Sequence, residues 1–404
     1  MDKVLIALLI FALVIGSVCG VFYLLNENNY AQMIEYIDTF KGDPLDNDGA
    51  LIPKKDELGN WYFTTDEDFK ILHLTDIHLG GGILNRETDE KTVKAVASMV
   101  RVENPDLVVV TGDIAFAVGI GGTINNAYAH GMFIRLMENL GINWTITLGN
   151  HDTEPYNYHN RKAVANMYAD ENLKYCLFEH SPEGVSGEGN HIINVKNSSG
   201  EIVQSLFMLD SHSYIRQGLV GGLIDSLLWN YDNIKEDQIE WYEKQIKHYA
   251  PQSSLMFFHI PLAEVKVGYD EYIANDRELT DDVTWFSGND GEKEEVVYPS
   301  KLGDDLFEKI LELGNTHYVF FGHDHFNNFI MNYKGVMFSY GYSVDYIAYG
   351  DIGARGYQRG CTVIEIDSVP GFLSVTHENY YQEKYGSLEE KESMDMNKDA
   401  YKGE

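Results

Sequence analysis

The hydrophobic pattern opens with one long apolar run and then breaks into short ones. Val4 to Leu25 reads VLIALLIFALVIGSVCGVFYLL, close to the roughly 20 residues that a bilayer-crossing helix takes. Residues 26–60 are polar, with turn signals at Gly42-Asp43-Pro44 and Asp48-Gly49, and are expected to form a stalk. From Lys70 onward, short apolar runs alternate with helical spacing. KILHLT (70–75), DLVVVT (106–111) and INWTITL (142–148) read as strands. Residues 88–104, with Val93, Val96, Ala97 and Val100 on one face, read as a helix, as do 127–140 and 160–172. HIINV (191–195) and EIVQSLFML (201–209) read as a hairpin about Asn197-Ser-Ser-Gly200. A helix over 234–249, a strand over 254–259, a helix over 304–314 and a strand over 317–321 follow. Two further hairpins are expected, 328–332 with 336–340 and 360–367 with 372–377. Residues 262–300 show no clear period and read as a long acidic loop, while 385–404 read as a disordered charged tail.

The first half of this order is βαβαβ, which calls for a parallel sheet with right-handed crossovers. The second half adds strands, many in hairpins. An α/β fold of two packed mixed sheets flanked by helices satisfies both halves. The expected boundaries are 1–25 for a membrane anchor or signal segment, 26–60 for the stalk, 61–384 for the folded body and 385–404 for the tail.

Composition changes this picture in three ways. The chain has 404 residues, with 63 acidic against 30 Lys and Arg, a formal net charge of -33. A field of that sign repels polyanions, so no nucleic-acid partner is expected. The three cysteines, Cys19, Cys176 and Cys361, form no CxxC, which argues against a thiolate zinc site and leaves only Cys176–Cys361 as a bridge within the body. At the N-terminus, Lys3 and the terminal amine favour a cytoplasmic start and an extracytoplasmic body. A signal peptide cleaved near Ser17, Cys19 or Gly20 is the alternative and would make the protein secreted. The apolar run continues past that point to Leu25, which favours an uncleaved, single-pass anchor. A lipid anchor at Cys19 is disfavoured by the preceding Gly-Ser-Val, a poor lipobox.

The candidate chemistry lies just after expected strands. Asp76-Ile-His78 follows the first, Gly112-Asp113 the second and Gly149-Asn150-His151-Asp152 the third; His259 ends SLMFFH, and Gly322-His323-Asp324-His325 follows HYVFF. Each motif alone has a bland reading as a turn, a cap or a packed core histidine. Together they supply only nitrogen and oxygen donors, at strand ends, where α/β sheets build sites. Imidazole and carboxylate suit zinc, iron and manganese. Two ions about 3.5–4 Å apart can clamp the attacking and leaving oxygens of a displacement, and Asp113 is placed to bridge such a pair. Residues at i and i+2 of extended chain point the same way, so Asp76 and His78 can reach one ion.

The DxH, GD, GNHD, lone His and GHxH series resembles the calcineurin-like metallophosphoesterase superfamily. GINWTITLGNHDTE, FHIPLAEV, IKEDQIEWYEK and FFGHDHFNN narrow the likeness to the purple-acid-phosphatase-related branch typified by the yeast phosphatase Dcr2 and its plant relatives. The resemblance spans about Trp61 to His377. It implies a four-layer αββα sandwich and two divalent or mixed-valence ions (Mn, Zn or Fe). It implies that Asp76, His78, Asp113 and His325 hold the first ion, and that Asp113, Asn150, His259 and His323 hold the second. It further implies that His151 contacts the phosphate and protonates the leaving oxygen, and that a metal-bridging hydroxide attacks phosphorus. Asp152 is expected to orient His151 or to cap its loop. Purple acid phosphatases carry a ligating tyrosine three residues after the GD aspartate; here that position is Phe116, so a colourless enzyme is expected.

His212 in LDSHSY follows a strand and is a candidate neighbour of the substrate, whereas His73 lies inside a strand and reads as packing. Asn143-Trp-Thr and Asn197-Ser-Ser are sequons, the first running into an expected buried strand. The leading expectation is a phosphomonoesterase acting on a phosphorylated protein or small molecule. A phosphodiesterase or nucleotide pyrophosphatase could use the same metal pair. A non-catalytic surface receptor would be expected to have lost ligands, and this chain keeps them.

Overall fold

A computed structural model of the chain describes residues 3–41, 51–116, 123–216, 218–288, 297–350, 352, 359–368 and 372–387. The element order is α1 (Lys3–Asp38), β1 (Lys54–Lys55), β2 (Trp61–Thr64), β3 (Phe69–Leu74), α2 (Arg86–Glu103), β4 (Leu107–Thr111), α3 (Ala127–Leu140), β5 (Trp144–Thr147) and α4 (Arg161–Tyr168). Then come β6 (His191–Lys196), β7 (Ile202–Met208), α5 (Leu219–Leu227), α6 (Glu236–Tyr249), β8 (Ser253–Phe257), α7 (Ala263–Ala274), β9 (Val283–Ser287) and α8 (Leu306–Leu313). The last strands are β10 (Thr316–Phe321), β11 (Ile330–Tyr333), β12 (Val336–Tyr340), β13 (Gly360–Ile366) and β14 (Leu373–Asn379).

The strands form two mixed sheets. One has the order β14-β13-β3-β4-β5, and the other β1-β2-β6-β7-β8-β10-β12-β11-β9. β3, β4 and β5 are parallel, as the βαβαβ pattern requires, and β13 closes antiparallel on β3. In the larger sheet β7, β8, β10 and β12 run parallel. The strand side chains alternate between two cores. Phe69, Ile71, Leu107 and Val109 of the smaller sheet meet Leu206, Met208, Leu255 and Phe257 of the larger one between the sheets. Leu72, Leu74, Val108 and Val110 point outward and pack under Val93, Val96, Phe133 and Leu136 of α2 and α3. Phe207, Met256, Val319 and Phe321 point outward from the larger sheet onto Ile239, Tyr242, Val265 and Ile310 of α6, α7 and α8. Strands buried on both faces need apolar residues at every position, which is why DLVVVT and HYVFF carry no alternation. The result is the expected four-layer αββα sandwich.

Three expectations give way. Residues 26–38 are helical and continue the apolar helix, with Met33 and Ile37 fully buried against α2 and α3. They look polar because only one narrow stripe of this helix meets the body; residues 42–50 of the expected stalk lie outside the described residues. The long loop over 262–300 contains α7 and β9. α7 buries only Val265, Gly268 and Tyr269, too few to set a visible period, and β9 is a strand because β11 offers it a free edge. The body extends past 384, since Tyr385 and Ser387 are buried; residues 388–404 of the tail lie outside the described residues. α5 was not expected at all; its apolar residues Leu219, Val220, Ile224 and Leu227 turn outward, while Gly222 and Asp225 face the body. Cys176 and Cys361 are free thiols. His73 faces Thr111 at 2.8 Å and packs edge-on against Phe257 and Phe320 between the sheets.

Candidate metal centre

Because β3, β4, β5, β8 and β10 all end on one edge, the loops that leave them converge. The loops after β3 and β4 are zipped together by backbone bonds, Asp76 N–H to Gly112 O at 3.2 Å, His78 N–H to Asp113 O at 3.0 Å and Leu79 N–H to Ile114 O at 2.8 Å. This close pairing forces unusual backbone. Asp76, His78, Asp113 and His323 all have positive φ, at 49°, 51°, 51° and 76°. For non-glycine residues that costs about 1–3 kcal/mol each, and such strain concentrates at functional sites. Two motif glycines are needed for close approach. A Cβ on Gly149 would collide with the Asp113 carboxylate, and one on Gly322 would collide with Thr75 and Asp76.

Two donor clusters result. Asp76, His78, Asp113 and His325 each turn one donor atom into a space where all lie within 4.8 Å of one another, and Asp113, His259 and His323 do the same. Asp113 belongs to both. Its Oδ2 lies 3.4 Å from His78 Nε2 and 3.0 Å from His259 Nε2, and its Oδ1 accepts the His151 backbone N–H at 2.8 Å. Asn150 joins the second cluster, its Oδ1 3.2 Å from His259 Nε2. His325 Nε2 faces Asp76 Oδ1 at 3.4 Å, and Asp76 also accepts the His323 backbone N–H.

Electrostatics show what this pocket favours. Burial alone would depress His78, yet the carboxylates of Asp345 and Asp113 outweigh it and lift the imidazole to about 10. His259 follows the same logic with Asp113, reaching about 9. His323, buried beside His259, is pushed well below its ordinary value. Buried carboxylates among imidazoles call for positive charge, which either protons or metal ions can supply. The donor set of carboxylate, imidazole and amide oxygen fits hard or borderline divalent ions.

The sequence model for calcineurin-like phosphoesterases matches residues 69–327. This chain belongs to the calcineurin-like phosphoesterase family. It is 29% identical over 335 residues to the probable inactive purple acid phosphatase 28 of Arabidopsis thaliana, covering 75% of this chain and 76% of that protein. It is 32% identical over 224 residues to phosphatase DCR2 of Saccharomyces cerevisiae, covering 50% of this chain and 36% of that protein. Among solved structures, a dimetal phosphatase from Danio rerio, LOC 393393, aligns with a TM-score of 0.44 and 11% identity over 77% of this chain and 96% of its own.

In this phosphoesterase all the residues expected to hold metal converge, and so does His151, whose ring lines the cleft above them. Asp152 does not reach the cleft. It is fully buried and accepts the backbone N–H groups of Asp113, Ile114, Ala115 and Gly149 at 3.0, 2.8, 3.0 and 2.7 Å. It is a loop clamp, and its expected role in orienting the His151 ring falls to Glu154. Glu154 Oε1 lies 2.6 Å from His151 Nδ1 and also accepts the Tyr214 hydroxyl at 2.9 Å. His212 stays out of the cleft, its Nε2 2.9 Å from Gln238 Oε1.

Asp345 is the residue that sequence reasoning missed. It is fully buried, its Oδ1 3.3 Å from His78 Nδ1 and its Oδ2 3.4 Å from His325 Nδ1. Three backbone N–H groups, of Ile347, Ala348 and Tyr349, fix the carboxylate at 2.7, 2.8 and 2.7 Å. It therefore turns both Nε2 atoms toward the first cluster. The available signal was its position shortly after β12. That strand looks like half of a hairpin, and only its parallel pairing with β10 puts its carboxyl end at the site.

A cleft of about 480 Å³ opens above the clusters, walled by Phe116, Tyr214, Trp229, Tyr231, Tyr298 and Tyr349 among others. Phe116 stacks on the His78 ring at 4.8 Å and offers no oxygen. No lysine or arginine lines the cleft among the described residues.

Proposed function

We propose that the chain is a membrane-anchored, binuclear metal-dependent phosphomonoesterase. The observation that carries this reading is the sharing of Asp113 between two convergent donor clusters beneath a cleft lined by His151. Asp76, His78, Asp113 and His325 would hold one ion, and Asp113, Asn150, His259 and His323 the other. Bound there, the ions would polarise the phosphoryl oxygens and lower the pKa of water from 15.7 toward about 7. The chain does the rest. Asp345 and the Thr111 carbonyl, 2.7 Å from His259 Nδ1, orient the ligating rings. Glu154 engages His151 at Nδ1, which leaves Nε2 to protonate the departing oxygen. The aromatic walls exclude water and hold the leaving group.

Retention of every donor supports an active enzyme over a surface receptor. Phe116 at the tyrosine position supports a colourless centre with Mn, Zn or Fe. The substrate would be a phosphate monoester. The apolar half of α1 would cross the membrane with the body outside the cytoplasm; this helix is long and apolar enough to do so. One observation favours a second reading, a phosphodiesterase: the cleft is larger than a phosphate needs. The test compares p-nitrophenyl phosphate with bis(p-nitrophenyl) phosphate on the metal-loaded chain in mild detergent, beside Asn150→Ala. Faster monoester cleavage that the variant loses is the expected result. Faster diester cleavage would establish the second reading, and no cleavage of either would favour the receptor.

A further inference from the structure

The direction of α1 carries information beyond its apolar composition. Its C-terminal end lies at the amino edge of the sheets, where Asp38 pairs with Arg135 at 2.6 Å and accepts from Asn139 near the end of α3. Its middle lies at the opposite edge. There Asn26 Oδ1 accepts the Ile83 N–H at 2.9 Å, Asn29 donates to Gly82 O at 3.2 Å, and Tyr30 stacks on Tyr128 at the start of α3. Gly82 and Ile83 belong to the loop that carries Asp76 and His78. The helix therefore leaves the body at the metal-site edge. Its apolar run ends at Leu25, one residue before the Asn26 contact. At about 1.5 Å per residue, no spacer separates the membrane segment from that edge.

A second observation lies on the same edge. The segment between β7 and α6 leaves and returns there, and α5 sits in it, seated with Gly222 against Pro155 and tied by the Arg216–Asp225 ion pair. α5 turns apolar side chains outward: Val220 is 72% exposed, Leu227 80% and Leu219 56%. Trp229, just beyond it, is 57% exposed, is held at φ 51°, and forms part of the cleft wall. Leu84, Ile124 and Tyr158, on neighbouring loops, are exposed too. A soluble surface seldom gathers so many large apolar groups in one place.

We propose that the metal-site edge lies against the bilayer, with α5 and Trp229 seated in the headgroup region, and that the substrate is a phosphate ester carried by a lipid. This rests on the reading of α1 as an uncleaved anchor and of the site as a phosphoesterase. The geometry is that of an interfacial helix, apolar side down, with an aromatic residue at the headgroup level. With a net charge of -33, the chain gains nothing from an anionic surface, so apolar insertion rather than charge holds the edge down. A cleft opening into the headgroup layer meets lipid phosphates directly.

The test uses the full chain reconstituted in phosphatidylcholine vesicles, with acyl-brominated phosphatidylcholine as quencher of tryptophan emission. Bromolipid quenching should fall at least twofold in Trp229→Phe. Quenching that is absent, or equal in the two proteins, would overturn the docking. Phosphate release from dioleoyl phosphatidate in the same vesicles should fall fivefold or more in Val220→Glu/Leu227→Glu, with p-nitrophenyl phosphate hydrolysis unchanged. Equal phosphatidate rates would overturn the inference. Hydrolysis of p-nitrophenyl phosphate without any phosphatidate cleavage would overturn the lipid substrate. Failure on both substrates would instead remove the phosphatase reading, while the quenching result still decides the docking.

Discussion

The two donor clusters share Asp113 but are built differently. The first adds a second carboxylate, Asp76, and both of its imidazoles are backed at Nδ1 by the buried carboxylate of Asp345. The second adds a neutral amide, Asn150, and two imidazoles that, among the described residues, have no carboxylate behind them. His259 Nδ1 meets the Thr111 carbonyl, and the His323 ring packs edge-on against Tyr231 and His259 at the cleft wall. Anionic donors and carboxylate-backed histidines make stronger ligands. The first site should therefore bind metal more tightly, and the second should be the one that exchanges.

The harshest way to break this comparison is Asp113→Ala. It removes the donor common to both sites, so bound metal should drop from two equivalents to one or fewer, by elemental analysis. Activity should fall by at least about 10³-fold, beyond the 10–100-fold typical of changes behind the ligands. Two retained equivalents would remove Asp113 from the bridge. Asp345→Asn should weaken the first site by about 10–100-fold and leave the second unchanged in a metal titration. Equal weakening at both would show that Asp345 holds the fold rather than the two rings. Asn150→Asp gives the second site a second carboxylate. Its affinity should rise on the order of tenfold, about 1.4 kcal/mol, narrowing the gap between the sites.

The smallest expected effect concerns the loop under the second site. The Arg161 guanidinium donates to the carbonyls of Leu148 and Gly149 at 2.8 Å each, just before Asn150, and pairs with the buried Asp210. Burial raises the Asp210 carboxyl, but Arg161 outweighs it and holds it at about 2 against an ordinary 3.8. A depressed folded value means the unfolded chain takes up the proton first. The stabilisation is thus complete above about pH 4, falls as the pH drops toward 2, and is on the order of 2 kcal/mol. Chemical denaturation of Asp210→Asn at pH 7 should show that loss, and the difference from the unaltered chain should vanish near pH 2. A pH-independent difference would mean that shape rather than charge holds the loop.

Much of this was legible in advance, for a reason tied to particular residues. Strands such as DLVVVT and HYVFF are buried on both faces, so their composition betrays them, and short motifs placed directly after them fall at one edge whatever the sheet order. That is how Asp76, His78, Asp113, Asn150, His259, His323 and His325 could be grouped although they span the sequence from 76 to 325. α7, β9 and the packed half of α1 were not legible. Each is held by a few tertiary contacts, such as Met33 and Ile37 under α2 and α3, that leave no period in the sequence.

The sequence by itself determined which donor atoms are available, which strands deliver them and that one long helix is apolar enough for a bilayer. The tertiary structure alone decided how the carboxylates divide the work. Asp152 clamps backbone, Glu154 takes the His151 ring and Asp345 backs His78 and His325. It alone also decided at which edge α1 leaves the body. A carboxylate is chemically the same wherever it stands in a chain. What it does depends on which groups face it within about 3 Å, and those groups come from segments that only the packing of the sheets brings together.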